Sequence, residues 1–132
     1  MSPRRPDRKK DHPLPTAAEL DILAALWRLG PATVRDVHES LNKKSGYTTT
    51  LKQMQIMTCK GLITRSERFR AFVYEASIPK EQTQTQIVGD LMSRAFEGSA
   101  RGLVLGALAA KPATPEELRE IRRMIDEWGK AK

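Results

Sequence analysis

The stretch from residue 47 to residue 63, YTTTLKQMQIMTCKGLI, constrains the fold of this chain more than any other. Thr50, Met54 and Met57 recur at helical spacing, which predicts that they share one buried face of a helix. The opposite face is polar, and Gly61 is typical of the residue that ends a helix. The stretch therefore predicts a helix with one exposed polar face that runs directly into a strand.

Two further helices precede this one. Thr16 and Glu19 have the spacing of a capping box, which predicts the start of the first helix, and a Gly-Pro pair at 30–31 ends it. This helix is apolar on most of its circumference, so we expect it to lie at the centre of the core. Thr33, with Asp36 three residues later, predicts the start of the second helix.

A β-hairpin follows the third helix. Residues 62–65 and 70–76 are predicted as strands joined by a tight turn near residues 67–69, and Phe72 and Tyr74 should face the core. Three helices followed by a hairpin is the order of a winged helix-turn-helix domain. The predicted fold class is mainly α with a small β-hairpin. The third helix would enter the major groove of DNA, and the hairpin, or wing, would lie along neighbouring phosphates.

Positive charge is concentrated around the third helix and the hairpin. Residues 43–70 hold seven basic residues and one acidic residue, within a chain of net charge +7. A local basic cluster indicates a polyanionic partner such as double-stranded DNA. An ordinary solvated face is the alternative for an isolated polar helix. Here the two preceding helices and the basic hairpin favour DNA contact.

The candidate DNA contacts fall into two groups. Hydroxyl, ammonium and amide groups on the exposed helix face can reach base edges. The predicted base contacts are Thr48, Thr49, Lys52 and Gln55. Basic side chains around this face are better suited to phosphate contacts, which position a protein on DNA but do not distinguish one base sequence from another. The predicted phosphate contacts are Lys43, Lys44, Lys60, Arg65, Arg68 and Arg70.

The sequence divides into three parts. Residues 1–13 predict a disordered basic arm, residues 14–78 the winged-helix domain and residues 79–132 a helical dimerisation region. The last part predicts three short amphipathic helices with too few apolar residues for their own core, so a second copy of the chain is the simplest partner. Packing against the winged helix of the same chain is the alternative. The predicted dimerisation residues are Ile87, Leu91, Leu103, Leu105, Leu118, Ile121, Ile125 and Trp128.

Nothing in the sequence indicates an enzyme or a cofactor. No catalytic constellation is visible, and His12 and His38 stand apart from any Cys or carboxylate pattern that could bind a metal. Cys59, the only cysteine, is interpreted as a half-buried structural residue rather than a redox switch. No signal peptide follows the basic start and no apolar run approaches the ~18 residues that cross a bilayer, so we expect a cytoplasmic protein.

Several segments carry a resemblance to a known family. LPTAAELDILAALW, TVRDVHESL and GYTTTLKQMQIMTCKGLITR cover the predicted helices and the start of the wing, while VYEA and GLVLGAL follow later in the chain. With these segments, from Leu14 to about Trp128, the chain resembles the BlaI/MecI penicillinase-repressor family of bacterial transcription regulators. The resemblance implies a homodimeric repressor that binds a palindromic operator and blocks transcription.

The resemblance also implies a way to release the operator. In this family a membrane-bound sensor metalloprotease commonly triggers cleavage of the dimerisation part, near an apolar segment. The matching run here is residues 102–105, followed by Gly106 and Ala107 as the possible cleavage region. The Asn-Phe pair that is cut in well-characterised members is absent. The copper-responsive branch has a C-terminal cysteine cluster, and this chain has no cysteine after Cys59.

The preferred prediction is a sequence-specific transcriptional repressor that acts as a homodimer on DNA. Two other functions stay open from the sequence. The first is a winged helix used for contact with another protein, which would show no sequence preference in DNA. The second is a non-specific architectural DNA-binding protein, which would show a steep salt dependence and almost no preferred site.

Overall fold

A computed structural model describes residues 13–41 and 46–131. The described elements are α1 (Ala17–Leu29), α2 (Val34–Leu41), α3 (Tyr47–Lys60), β1 (Ile63–Arg68), β2 (Ala71–Ala76), α4 (Lys80–Ala95), α5 (Ala100–Ala110) and α6 (Pro115–Ala131). The predicted fold class, mainly α with one β-hairpin, is confirmed. Two compact units divide between Ile87 and Val88, inside α4. The predicted arm lies almost wholly outside the described residues.

Local capping fixes the starts of the first two helices. The backbone N–H of Thr16 donates to Glu19 Oε1 at 3.0 Å, and the N–H of Glu19 donates to Thr16 Oγ1 at 3.1 Å. Thr33 and Asp36 exchange the same pair of bonds before α2, both at 3.1 Å. Each box satisfies two N–H groups that a helix end would otherwise leave unpaired. Both predicted helix starts are confirmed.

The first unit has one continuous hydrophobic core. Its helices and the base of the hairpin each contribute to this core, and α1 lies at its centre as predicted. The buried cluster contains Ile22, Leu23, Ala25, Leu26, Ala32, Val34, Val37, Met54, Met57, Leu62, Ile63 and Tyr74. On α3, Thr50, Met54 and Met57 are all buried, which confirms the stripe predicted from their spacing.

The base of the hairpin is tied to the helices at two points. Gly61 has a left-handed φ of +84°, and the N–H of Leu62 donates to Met57 O at 3.0 Å, which turns the chain sharply from α3 into β1. Ala32, in the α1–α2 connection, exchanges backbone hydrogen bonds of 2.8 and 3.0 Å with Tyr74 of β2. The wing (residues 63–76) is therefore held by both of its strands.

The first strand of the wing extends further toward the tip than the sequence predicts, and one aromatic residue of the second strand lies outside the core. The strands pair from Ile63↔Ala76 to Arg68↔Ala71, so the turn consists of residues 69 and 70 rather than 67–69. Tyr74 is only 2% exposed, but Phe72 is 51% exposed, and its predicted core position is wrong. The two side chains share one face of the hairpin. Phe72 lies nearer the tip, beyond the edge of the core.

The second unit consists of helices with exposed sides. Ser99 Oγ accepts from Gly102 N at 2.9 Å at the start of α5, and Thr114 Oγ1 accepts from Glu117 N at 3.0 Å at the start of α6. Helix α5 is capped at Ser99 and runs to Ala110. Between residues 88 and 130 no residue is buried. Across the described ranges, no helix is long and apolar enough to cross a membrane.

Candidate nucleic-acid interface

The exposed side of α3 carries all four predicted base contacts. Thr48, Lys52 and Gln55 follow one another at i, i+4 and i+7, so they form one stripe along the helix, and Thr49 lies beside its start. All four are exposed. We call this set the groove face. Its exposure agrees with the sequence analysis, whereas its contact with bases stays a prediction.

The first turn of α3 is held against α2 by a small polar and aromatic cluster. His38 Nδ1 lies 2.7 Å from Thr50 Oγ1, which joins the two helices by a hydrogen bond. The ring of Tyr47 meets that of His38 edge to face, with centroids 6.0 Å apart. On the outer side, the guanidinium carbon of Arg35 lies 5.2 Å from the Tyr47 ring centroid, within the range of a cation–π contact. This cluster orients the groove face and places a cation beside it.

The last turn of α3 is held by an ion pair with α1. Lys60 Nζ lies 2.6 Å from Glu19 Oε2, and Glu19 is 2% exposed. Burial favours a raised pKa for Glu19, but hydrogen bonds from Lys60 and from the Thr16 backbone, together with the charge of Lys60, outweigh it and lower that pKa. The carboxylate therefore stays ionised and serves as both helix cap and ion-pair partner.

This pair changes the interpretation of Lys60. The sequence analysis predicts it as a phosphate contact, but its ammonium is bound to a buried carboxylate from α1. The Lys60 side chain is itself 44% exposed, so only the Glu19 end of the pair is closed to water. Lys60 therefore helps to fix α3 against α1, and its contact with phosphate stays a prediction.

The wing adds exposed cations to the first unit, and Arg65 lies on the same face of the hairpin as Tyr74 and Phe72. The guanidinium carbon of Arg65 lies 4.2 Å from the ring centroid of Phe72, which explains why that ring is only half exposed although it has left the core. Arg68 and Arg70 are exposed at the tip. Lys43 and Lys44, also predicted as phosphate contacts, lie outside the described residues.

A shallow cleft joins the start of α3 to the wing. The cleft has a volume of about 340 Å³ and lies between the starts of α2 and α3 and the wing. Arg35, Tyr47 and Phe72 all line it. Arg35 lines this cleft, and Arg65 stacks on Phe72, which also lines it. Sequence reasoning missed Arg35 and Tyr47, because only folding brings them together.

Cys59 is exposed, so its interpretation as a half-buried structural residue is wrong. It follows Gln55 by four residues and continues the stripe of the groove face toward the end of α3. The helical spacing that identified the buried stripe would have placed it on this side. No group of three or more His, Cys, Asp or Glu side chains in the described ranges could hold a metal ion.

Comparison with known proteins identifies the family. The model of the penicillinase repressor family matches residues 15–127. The chain belongs to the penicillinase repressor family. It is similar to the penicillinase repressor of Bacillus licheniformis, with 22% identity over 112 residues that cover 83% of this chain and 88% of the relative. The resemblance drawn from the sequence is confirmed, and with it the prediction of a DNA-binding transcriptional repressor.

In this repressor the predicted dimerisation residues are largely exposed. Leu118, Ile121, Ile125 and Trp128 recur along one side of α6, and Ile125 is 57% exposed. The other side of α6 carries ion pairs that Arg123 forms with Glu120 and Glu127. We call the apolar side of α6 the apolar face. Of the remaining predicted residues, Leu91 and Leu105 are exposed, and Ile87 and Leu103 are half-buried.

The possible cleavage region of this repressor lies inside a helix. Gly106 and Ala107 belong to α5, and the ring of Phe96 lies over Gly106 so closely that a Cβ there would be 3.0 Å from two ring carbons. Proteases cut most readily at exposed, irregular chain. A cut at this bond would therefore require α5 to open locally first.

Proposed function

We propose that this chain is a sequence-specific repressor that binds a palindromic operator as a homodimer. One observation carries the proposal. The exposed polar groove face of α3 is fixed near both ends, by the His38–Thr50 contact and by the Lys60–Glu19 pair, and the cation Arg35 lies beside its start, over Tyr47. A helix that enters a groove must present its side chains in a fixed direction, and these contacts supply it.

The chemistry of the groove face suits base edges. Lys52 can donate to the O6 and N7 acceptors of guanine, and Gln55 can form a paired hydrogen bond with the N6 and N7 of adenine. Thr48 and Thr49 offer a hydroxyl, and their methyl groups can contact the methyl of thymine. We assign base reading to these four residues.

Phosphate contacts would come from cations around the groove face. We assign this role to Arg65, Arg68 and Arg70 of the wing, to Arg35 of α2, and to Lys43 and Lys44 from the charge pattern alone. Each neutralised phosphate adds about 0.9 to the slope of log affinity against log salt. Lys60 is left out of this set because its ammonium is engaged with Glu19.

The homodimer rests on the second unit. Between residues 88 and 130 no residue is buried, and apolar side chains lie exposed along α6. A second copy of the same face would cover them with two-fold symmetry. Two α3 helices related by that symmetry would read inverted half-sites about one helical turn apart, ~34 Å, or a multiple of it.

For release, the proposal follows the family likeness. A membrane-bound sensor metalloprotease would trigger a cut near Gly106 and Ala107, after local opening of α5. Loss of the dimerisation part would weaken operator binding because two linked half-sites bind far more tightly than one. Full-length protein that persists in cells whose target gene is already derepressed would contradict this step.

The test compares Gln55→Ala with Arg68→Ala on a specific duplex and on random DNA. Loss of the Gln55 amide should reduce affinity for the specific duplex about 5- to 100-fold, with little effect on random DNA. Loss of Arg68 should weaken both equally and lower the salt slope by about 1 per lost contact. Equal losses for Gln55→Ala on the two DNAs would remove its base-reading role and favour a non-specific DNA-binding protein.

A further inference from the structure

The tip of the wing carries an aromatic side chain that the fold does not use. Phe69 is 101% exposed, which is the highest value among the large apolar side chains in the described ranges. It lies between Arg68 and Arg70 in the two-residue turn of the hairpin. A ring in this position buries no apolar area within the chain, so folding gains nothing from it.

The backbone at this tip makes phenylalanine a poor choice for the turn itself. Phe69 and Arg70 have φ values of 52° and 66°, so both central residues are left-handed, as a type I′ turn requires. Asn-Gly is the preferred pair for this turn, and a bulky residue is disfavoured there. A costly conformation that displays an exposed ring is more readily explained by binding than by folding.

The hairpin holds this ring well away from the body of the protein. Only Ile63 of β1 and Tyr74 of β2 are buried, and the residues nearer the tip are exposed or half-buried. At ~3.3 Å per residue, the turn begins about 13 Å beyond Tyr74. The minor groove is about 6 Å wide and about 7.5 Å deep, so the tip of a two-residue turn can reach into it.

We propose that Phe69 is a minor-groove wedge, which inserts between two base pairs beside the sequence read by α3. The inference rests on the proposed function and names the contact made by the wing tip. Apolar side chains that enter the minor groove unstack a base step and bend the duplex. Arg68 and Arg70 flank the ring, and the negative potential of a narrow minor groove attracts such cations.

The charges around the ring favour DNA over a protein pocket. Arg65, Arg68 and Arg70 lie on the outer part of the hairpin, where Glu67 is the only acidic residue between Thr64 and Phe72. An apolar pocket on a partner protein would have to desolvate these guanidinium groups, whereas a duplex offers phosphates to each of them. The wedge also has a consequence for sequence preference. Flexible pyrimidine–purine steps should be favoured at positions outside those contacted by α3.

The experiment uses the full-length chain with the substitutions Phe69→Asn and Phe69→Leu. Asparagine tolerates a left-handed backbone, so it removes the ring and keeps the turn. Arg68→Ala is the matched control, since it removes a neighbouring charge and leaves the ring. The probe is the duplex most enriched from random DNA, with 2-aminopurine placed at each adenine in turn. Fluorescence of this base rises when it loses its stacking partner.

Phe69→Asn should bind this duplex about 5- to 100-fold more weakly, abolish the fluorescence rise at one step per half-site, and keep the salt slope. Phe69→Leu should retain part of both signals, while Arg68→Ala should lower the slope and keep the rise. Unchanged affinity and fluorescence for Phe69→Asn would overturn the wedge and leave the proposed function intact. Absence of specific binding by the unmodified protein would overturn both. Phe69-dependent binding to vesicles of anionic lipid, with DNA affinity unchanged, would instead assign the ring to a membrane surface.

Discussion

The two units of this chain stabilise their helices by different means. In the first, apolar side chains from three helices and the hairpin form a buried cluster around α1. In the second, from Val88 onward, no described residue is buried, and several large apolar side chains are exposed. The first unit therefore has a core of its own, whereas the second needs another surface to cover its apolar side chains.

The two units also differ in the sequence separation of their polar contacts. The Lys60–Glu19 pair and the His38–Thr50 bond join residues that lie 41 and 12 positions apart in the sequence. In the second unit, ion pairs such as that of Arg94 with Asp90 join neighbours on one helix. Long-range pairs fix one helix against another, but local pairs only support the helix that contains them. The first unit therefore holds its helices against one another through polar contacts as well as through its core.

The largest effect should come from the apolar face of α6. The double substitution Ile121→Gln and Ile125→Gln should raise the dimer dissociation constant at least about a hundredfold, because four isoleucines lose their buried positions in the dimer. Sedimentation equilibrium measures this constant. The matched control, Glu120→Gln with Glu127→Gln, places the same residues on the opposite side of α6.

The same double substitution should leave the stability of the first unit unchanged. Its cooperative unfolding in urea should persist in the Ile121→Gln, Ile125→Gln variant, since its core does not include α6. An unchanged dimer in this variant, or equal dissociation in the control, would contradict the assignment of the apolar face to dimerisation.

A smaller effect distinguishes two lysines of α3. Lys60→Met should lower the free energy of unfolding of the first unit by about 1–3 kcal/mol, because it leaves the buried Glu19 carboxylate without its cation. Lys52→Met removes the same charge from the exposed side and should change this free energy by less than about 0.5 kcal/mol. Urea denaturation measures both.

For DNA affinity we expect the larger loss in Lys52→Met and the smaller loss in Lys60→Met. Lys52→Met should weaken binding to the specific duplex, while folded Lys60→Met should retain most of it. If Lys52→Met destabilised the unit as much as Lys60→Met, the division of α3 into a structural side and a groove face would be wrong.

The smallest expected effect is the dependence of the stability of the first unit on pH, through Glu19. The pKa of Glu19 is lowered below 4.5 in the folded chain, so the unfolded chain takes up its proton more readily. The stability contributed by this carboxylate is therefore complete above about pH 4.5 and is lost as the pH falls through the folded pKa. Urea denaturation between pH 3 and 7 should show a steeper loss for the natural chain than for Glu19→Gln. Parallel curves would contradict the ion pair.

Features set by local pattern could be predicted from the sequence. The capping boxes at Thr16 and Thr33, the buried stripe of α3 and the helix end at Gly61 each depend on residues within a few positions of one another. These patterns also place the groove face, because the exposed side of a helix follows once its buried side is known. The winged-helix order and the family resemblance depend on the same local segments.

Features set by tertiary packing could not be predicted. Lys60 finds Glu19 only because α3 packs beside the start of α1, and nothing near Lys60 in the sequence indicates a buried partner. Phe72 lies on the same face of the hairpin as the buried Tyr74, yet it leaves the core because the hairpin extends past the helices. The exposure of Cys59, by contrast, could have been predicted, because helical spacing places it on the same side of α3 as Gln55.

The most direct test of a dimeric, sequence-reading repressor is selection of bound fragments from random DNA with the purified full-length protein. We expect an enriched inverted repeat whose half-sites have a fixed spacing of about one helical turn, or a multiple of it. If no motif is enriched and binding simply fades as salt rises, the polar side of α3 does not read bases, and the protein is not a sequence-specific repressor.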